Sequence, residues 1–223
     1  MRKGLPALGA ALLAATVLFA QPNFDYMPPG DLAPGSGEGR ADWTVYRDGM
    51  RFPLEAAPAY ANSQLWGTGG LHGPPGDQCD SANYSYPWRD NYCETRTRWR
   101  MPFCPVHTGH QGQDIRPATC ADGAHWAVAA EAGTITSIGF YSVHLRGEES
   151  GFRYRYLHLD HDQLAVQEGQ RVDRGERIGL VSDNQGGSPT TIHLHFDMHS
   201  GGRYYPTYMS LVRAYETLLD GLL

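Results

Sequence analysis

The sequence predicts a mainly β protein, a small antiparallel β-sheet or barrel-like sandwich with a loop-rich N-terminal arm and a C-terminal helix. Three observations lead to this expectation. Short segments of strand-like composition alternate with glycine-rich turns from residue 126 onward. Glycine and proline dominate long parts of the first 100 residues. Apolar side chains recur at helical spacing after Pro206, at the end of the chain.

The first 20 residues have the composition of an export signal. Met1-Arg2-Lys3 is followed by an apolar run from Leu5 to Ala20, which is too short for a comfortable membrane span. Cleavage after Ala20 would put Leu18 where a small residue is preferred, so an uncleaved anchor is the alternative. We therefore expect residues 1–20 to be a signal peptide or an N-terminal anchor, and the protein to be exported to the periplasm or the extracellular space.

Residues 21–100 predict a loop-rich N-terminal extension. Residues 28–40 have almost no apolar side chains to bury and are rich in turn formers, which predicts a linker. Asp48-Gly49 lies between the apolar segments 43–46 and 50–52, a pattern that favours a β-hairpin. Residues 84–92 are aromatic but irregular, and packing against the domain is favoured over lining a groove.

The strands are predicted by short apolar and polar runs between turns. They cover residues 126–130, 134–138, 141–145, 152–159, 177–181 and 191–199. The apolar residues that recur at helical spacing after Pro206 are Tyr208, Leu211, Val212, Tyr215, Leu218 and Leu219. Residues 206–223 therefore predict an amphipathic helix packed on the domain.

The charge balance excludes several classes of function. The chain of 223 residues has a net charge of −6. Loss of residues 1–20 would change the net charge to −8, because this segment contains Arg2 and Lys3 but no acidic residue. Lys3 is the only lysine. A mature chain without lysine has no P-loop or Schiff-base lysine, and its acidic balance disfavours binding to a phosphate backbone. We therefore expect no nucleic-acid partner, and no membrane contact beyond an uncleaved anchor.

Four cysteines in an exported chain predict two disulfides, for which three connectivities exist. The sequence-local pairing is favoured, Cys79 with Cys93 and Cys104 with Cys120, and each bridge would contribute roughly 3 kcal/mol in the chain-entropy model. A thiolate zinc site is the disfavoured alternative, because the chain has no Cys-x-x-Cys pair.

The strand predicted at residues 191–199 carries titratable groups on one face. Alternation along the strand turns its apolar residues toward the core and its titratable residues to the other face. The titratable residues are His193, His195, Asp197 and His199. Burying such a row without partners costs free energy, so the row indicates a metal or catalytic site.

His110 and Asp114 form a second candidate cluster, a histidine and a carboxylate four positions apart. Two zinc donors must lie about 3 to 4 Å apart, whereas a straight strand would separate these residues by roughly 13 Å. Gly112 is suited to a kink, which favours a bent strand or loop. Two histidines and one carboxylate form a zinc site with an open position, as in catalytic sites. Spacing does not tell whether His193 or His195 is the second histidine ligand.

Four motifs occur in the order found in lysostaphin-type (LytM-like) zinc metallopeptidases, which the chain resembles over roughly residues 105–205. The motifs are His110 to Ile115, Tyr156-Leu157-His158-Leu159, residues 169–179 and His193-Leu194-His195-Phe196. The resemblance implies a lysostaphin-like fold of the duplicated hybrid motif type and a metallopeptidase domain over residues 101–205. It implies one zinc ion per chain, held by His110, Asp114 and His195. His158 and His193 would be the two catalytic histidines that do not bind the metal.

The same resemblance implies a zinc endopeptidase that hydrolyses peptide cross-links or stems of peptidoglycan in the cell envelope. Zinc would activate a water, while His158 and His193 would share proton transfer and oxyanion stabilisation. The alternatives are a non-catalytic relative that binds the wall or activates an amidase, and a secreted protein-degrading or bacteriolytic peptidase. The complete ligand set disfavours the first of them. We expect Asp197 to orient an imidazole and His199 to lie at the rim.

Overall fold

The computed structural model describes residues 24–96 and 100–221, so the signal or anchor predicted for residues 1–20 lies outside the described residues. Within the described ranges, eleven short strands, one 3-10 turn and one α-helix form. No helix in these ranges is long and apolar enough to cross a membrane.

All strands pair antiparallel, as predicted for the fold class. In chain order they are β1 (Tyr60–Ala61), β2 (Gln113–Arg116), β3 (Trp126–Val128), β4 (Gly133–Ile138), β5 (Ser142–Gly147), β6 (Arg153–Leu157), β7 (Leu159–Leu164), β8 (Arg171–Val172), β9 (Arg177–Val181), β10 (Leu194–Ser200) and β11 (Arg203–Tyr205). The large sheet has the order β1-β2-β10-β6-β5-β4-β8, with β11 beside β10, and a small sheet has the order β3-β9-β7.

Strand β10 occupies the middle of the large sheet. It pairs with β6 on one side, and with β2 and then β11 on the other. Leu194, Phe196 and Met198 are fully buried in the core, as the alternation predicts. The alternate residues of β10 therefore face the opposite side of the sheet, where the candidate site lies.

The strand predicted over residues 152–159 is divided at His158. Strand β6 ends at Leu157 and β7 begins at Leu159, in the other sheet. His158 has a φ of 65°, in the left-handed region that non-glycine residues rarely adopt. The chain changes sheets at this single residue.

The hairpin predicted around Asp48-Gly49 is wrong, although a turn forms there. The residues after the turn bond to the neighbourhood of β3 instead of to residues 43–46. Arg51 N donates to Ala130 O at 2.8 Å, and Val128 N donates to Pro53 O at 2.9 Å. This route buries Phe52 in the core, which a two-stranded hairpin would leave largely exposed.

Residues 28–40, predicted as a linker, pack against Arg89 and Asp90 of the same extension. Gly30 N donates to Asp90 Oδ2 at 2.8 Å, and Arg89 Nη1 donates to Asp31 Oδ1 at 2.7 Å. Leu32 is buried with an exposed fraction of 7%. Hydrogen bonds of the backbone and of polar side chains hold this segment, which has little apolar surface of its own.

The predicted C-terminal helix is confirmed as α1 (Tyr208–Leu219), which begins shortly after Pro206. Its buried face packs on the aromatic core, where the rings of Tyr215 and Trp88 lie 4.5 Å apart. The Tyr215 hydroxyl accepts from Ala59 N at 2.9 Å. The helix thereby joins the N-terminal extension to the β domain.

The favoured disulfide pairing is wrong. The bridges join Cys79 to Cys120 and Cys93 to Cys104. Gln78 lies beside the end of β2, where its backbone carbonyl accepts from Arg116 Nη1 at 3.0 Å, so the neighbouring Cys79 meets the chain beyond β2. Proximity in sequence does not determine which cysteines the fold brings together.

Candidate metal centre

A sharp bend at Gly112 brings His110 back over β2. A Cβ atom added to Gly112 would lie 2.3 Å from the carbonyl oxygen of Phe196, so only glycine fits there. His110 lies in the irregular segment before β2, and Asp114 is the second residue of β2. The bent-strand geometry predicted for this pair is present.

Asp114 and His195 are opposite each other in the β2–β10 register, which places both side chains on the same face. His195 Nδ1 lies 3.0 Å from Asp114 Oδ1 and 2.8 Å from His110 Nε2. His110 Nε2 lies 3.3 Å from Asp114 Oδ1. All three residues are buried, and their candidate ligand atoms lie within 4.8 Å of one another.

Hydrogen bonds to the far side of each ring fix which nitrogen carries the proton. His110 Nδ1 is 2.8 Å from the backbone carbonyl of Asn91, which can only accept. His195 Nε2 is 3.1 Å from Asp197 Oδ2. Both bonds leave a lone pair on the nitrogen that faces Asp114. Two imidazole nitrogens and a carboxylate oxygen therefore converge, a donor set that fits a divalent metal ion.

The charges around Asp114 keep it ionised. Burial alone would raise the pKa of Asp114, but the Arg96 guanidinium, with Nη1 2.5 Å from Asp114 Oδ2, helps to hold that pKa well below its usual range. Burial lowers the pKa of His110 to about 4, so this ring is neutral near pH 7. Both groups are therefore in the protonation state that metal binding requires.

The pKa of His195 shifts the other way. Burial would lower it, but hydrogen bonds from the ring to Asp114 and Asp197 raise the pKa of His195 above its ordinary value. Of the three candidate ligands, His195 is the one for which protons compete most near neutral pH.

His193 and His158 lie beside this cluster. His193 Nε2 is 3.5 Å from Asp114 Oδ1, and the His158 and His193 ring centroids are 4.5 Å apart. Each Nδ1 is bound to a backbone carbonyl, His193 to Thr191 O at 2.7 Å and His158 to Asn184 O at 2.9 Å. Each Nε2 therefore carries a lone pair. Burial, with a smaller contribution from His193, lowers the pKa of His158 well below its ordinary value.

Asp197 and His199, the remaining titratable residues of β10, contact different neighbours. Asp197 is buried and binds His195, which is the orienting contact expected of it. His199 is half-buried, and its ring packs at 5.2 Å from that of Tyr204, across the β10–β11 pair.

Sequence reasoning did not identify Asn91, Arg96 and Asn184, although all three contact the site. They are single polar residues in irregular segments, with no periodicity or motif spacing that would have indicated them. The sequence offered no signal for these contacts, because each depends on a pairing between distant parts of the chain.

Residues 108–206 match the model of Peptidase family M23, and this part of the chain belongs to that family. The family implies a metal. The comparison with curated proteins found no match.

Several solved structures are similar to the chain. One is a protein assigned as the glycyl-glycine endopeptidase lytM of Ruminococcus gnavus, with 16% identity and a TM-score of 0.49, covering 77% of this chain and 63% of that one. The catalytic domain of the antimicrobial peptidase lysostaphin from Staphylococcus simulans has 23% identity and a TM-score of 0.40, covering 55% of this chain and 93% of that one. The deep-sea M23 metalloprotease pseudoalterin has 22% identity and a TM-score of 0.39, covering 54% of this chain and 72% of that one.

Proposed function

We propose that this M23-family domain is a zinc-dependent endopeptidase that hydrolyses peptide bonds in peptidoglycan cross-links or stems. The observation that carries the proposal is the convergence of three buried acceptor atoms, from His110, Asp114 and His195, next to two further histidines. Three protein ligands leave a coordination position for water or substrate, as in catalytic zinc sites. In this proposal each chain holds one zinc ion.

Zinc bound by His110, Asp114 and His195 would polarise the scissile carbonyl and increase the acidity of a water molecule. The other steps fall to His158 and His193. Their free Nε2 atoms are able to accept the proton of the attacking water and to return it to the leaving amine. A protonated ring next to the developing oxyanion would also stabilise its charge.

The two backbone contacts of these rings support the proton-transfer role. The carbonyls of Thr191 and Asn184 hold each Nδ1–H, so the basic nitrogen of each ring is always Nε2. Burial favours the neutral form of His158, which is the form that accepts a proton. Tyr141 stacks on His158 with ring centroids 5.7 Å apart and fixes the plane of the ring.

The substrate class and the location are proposed from the sequence motifs and from the disulfides. Peptidoglycan is proposed from the four sequence motifs that resemble lysostaphin-type enzymes, in the same order. Action outside the cytoplasm is proposed from the two disulfides, which persist in oxidising compartments. The periplasm and the extracellular space both meet that requirement.

The test is incubation of the zinc-loaded protein with purified peptidoglycan, followed by mass spectrometry of the released fragments. The variants are His195→Ala and His193→Ala, with His199→Ala as the matched control on the same strand. We expect the parent and the control to release peptides with new amino and carboxyl ends. His195→Ala should lose zinc and activity, whereas His193→Ala should keep zinc and lose activity by about 10² to 10⁴-fold.

Other outcomes identify the alternatives. Release by both site variants equal to that of the parent would overturn the catalytic assignment. Binding to peptidoglycan without release would indicate a non-catalytic wall-binding protein. Cleavage of an unfolded protein substrate, without release from peptidoglycan, would indicate a protein-degrading peptidase.

A further inference from the structure

Asn91 lies in the N-terminal extension, outside residues 108–206, yet it binds two of the three proposed metal ligands. Its backbone carbonyl accepts the Nδ1–H of His110 at 2.8 Å. Its side-chain Oδ1 accepts from Asp114 N at 2.9 Å, and its Nδ2 donates to Asp114 O at 3.3 Å. Asn91 is fully buried, so water does not compete for these bonds.

The side chain of Asn91 takes the place of a strand at the edge of β2. On one side, Asp114 pairs with His195 of β10. On the other side, β1 pairs with Ile115 and Arg116, and Asn62 N, directly after β1, makes a longer bond to Asp114 O at 3.4 Å. The backbone of Asp114 is therefore beyond the end of β1, and the Asn91 carboxamide supplies both an acceptor and a donor to it. An asparagine suits this position, because its amide has the same two functions as a peptide group.

These contacts fix the directions of the two ligand atoms. Asn91 binds both backbone groups of Asp114 on one edge of β2, and β10 lies along the other edge, so Asp114 cannot rotate out of the strand and Oδ1 stays directed at His195. The bond from His110 Nδ1 to the Asn91 carbonyl sets the tautomer and the plane of that ring. A single residue thus controls the relative placement of His110 Nε2 and Asp114 Oδ1, which lie 3.3 Å apart.

We propose that Asn91 is a positioning residue of the metal centre, and that the N-terminal extension is therefore part of the site. The inference rests on the proposed role of His110, Asp114 and His195 as metal ligands. Loss of groups that orient metal ligands typically weakens metal affinity by 10 to 100-fold. The same range is expected for loss of the Asn91 side chain.

The test is the zinc affinity of Asn91→Ala, measured in the folded protein by competition with a chelator. This substitution removes only the two bonds to Asp114, since the carbonyl that binds His110 belongs to the backbone. Asn83→Ala is the matched control, because Asn83 is also a buried asparagine of the extension, and its side chain donates to the backbone oxygens of Thr68, Asp77 and Gln78, none of which is a proposed ligand.

We expect Asn91→Ala to bind zinc about 10 to 100-fold more weakly than the parent. Asn83→Ala should unfold at lower urea concentration but bind zinc as the parent does. The absorption spectrum of the cobalt-substituted protein should change in Asn91→Ala and not in the control, which a purely structural role would not produce.

Asn91→Leu provides a second variant if Asn91→Ala does not fold, because leucine fills the space of the side chain without adding a charge. It also lacks both bonds to Asp114, so its zinc affinity should fall by the same 10 to 100-fold. Parent-like zinc affinity and cobalt spectrum in a folded Asn91 variant would overturn the inference alone. Absence of zinc binding by the parent would instead overturn the proposed function.

Discussion

His195 Nε2 lies 3.1 Å from Oδ2 of Asp197, two residues further along the same strand. Asp197 is in turn bonded to Arg155 Nε at 2.6 Å, across the β6–β10 pair. Burial would raise the pKa of Asp197, but the charge of Arg155 and the contact with His195 hold it below its usual value. An ionised carboxylate therefore directs the Nδ1 lone pair of His195 toward the proposed metal position.

Asp197→Asn should weaken zinc binding by about 10 to 100-fold at mildly alkaline pH, because the orienting carboxylate is lost. It should also lower the pH at which the zinc affinity has fallen to half of its own value at alkaline pH. In the parent, protons compete with zinc as the pH falls through the raised pKa of His195. Removing one of the two carboxylates lowers that pKa, so protons compete only in more acid solution. Zinc titrations from mildly acid to mildly alkaline pH measure both effects.

Asp42→Asn is the control for this pH profile, because Asp42 is a buried carboxylate whose partners are Arg40, Thr44 and Tyr46. Its zinc-binding profile should match that of the parent. A profile displaced to higher pH in Asp197→Asn would contradict the assignment of the raised pKa to His195.

Arg96→Met should destabilise the metal-free protein by about 3 to 5 kcal/mol, because two buried carboxylates lose their cation. Arg96 lies 2.5 Å from both Asp114 and Glu94, whose side chains are fully buried. Zinc should raise the melting temperature of this variant more than that of the parent. The metal then supplies the positive charge that Arg96 provides to Asp114 in the parent, and no guanidinium repels the metal. Thermal unfolding with a chelator and with zinc measures the difference.

Arg89→Met is the control for Arg96→Met. Arg89 pairs with Asp31 in the same extension, but both side chains are about a third exposed, so its loss should cost about 1 kcal/mol or less. A zinc-induced rise in Arg96→Met no larger than in the parent would contradict the predicted charge compensation.

Removal of the two disulfides should lower the free energy of unfolding by different amounts. Cys79–Cys120 spans 41 residues and Cys93–Cys104 spans 11, so the chain-entropy model gives about 4 and about 3 kcal/mol. The shorter bridge lies next to the metal centre, since Cys93 N donates to the carbonyl of His110 at 3.0 Å. Replacing Cys93 and Cys104 by serine should therefore reduce zinc affinity more, although it reduces stability less. Equal zinc affinities in the two double variants would show that the shorter bridge does not support the site.

Gly112→Ala should disturb the metal centre, because the new methyl group would lie 2.3 Å from Phe196 O and force β2 away from β10. Such overpacking typically costs about 1 to 3 kcal/mol. Zinc affinity should fall as well, since Asp114 and His195 face each other across this pair.

Gly169→Ala is the comparison, with open space around the added Cβ and a φ of 83°. It should cost about 1 to 2 kcal/mol and leave zinc affinity unchanged. Unchanged zinc affinity in Gly112→Ala would contradict the requirement for close β2–β10 contact.

Local patterns in the sequence predicted those parts of the fold that depend on local periodicity. The alternation along β10 and the helical spacing of α1 are properties of a few adjacent residues. The bend at Gly112 was also predictable, because a histidine and an aspartate four residues apart cannot approach each other along a straight strand.

Features that depend on pairing between distant segments were not predictable. The disulfide connectivity follows from the position of Gln78 beside the end of β2, and the left-handed backbone of His158 follows from the change between two sheets. The Asp48-Gly49 turn forms as its residue types predict, but the residues after the turn form hydrogen bonds near β3 instead of pairing with residues 43–46. Asn91 carries no local signal, because its role exists only once the edge of β2 has formed.

The central place of β10 in the sheet also has a consequence for the order of events during folding. Its strand partner β2 lies about 80 residues earlier in the chain, and such distant pairings form slowly, because a long loop must close before any contact compensates for the lost entropy. The three candidate ligand atoms meet only when β10 has entered between β2 and β6. A nascent or partly folded chain therefore lacks the complete donor set, and metal capture reports that the long-range pairing of β2 with β10 has been made.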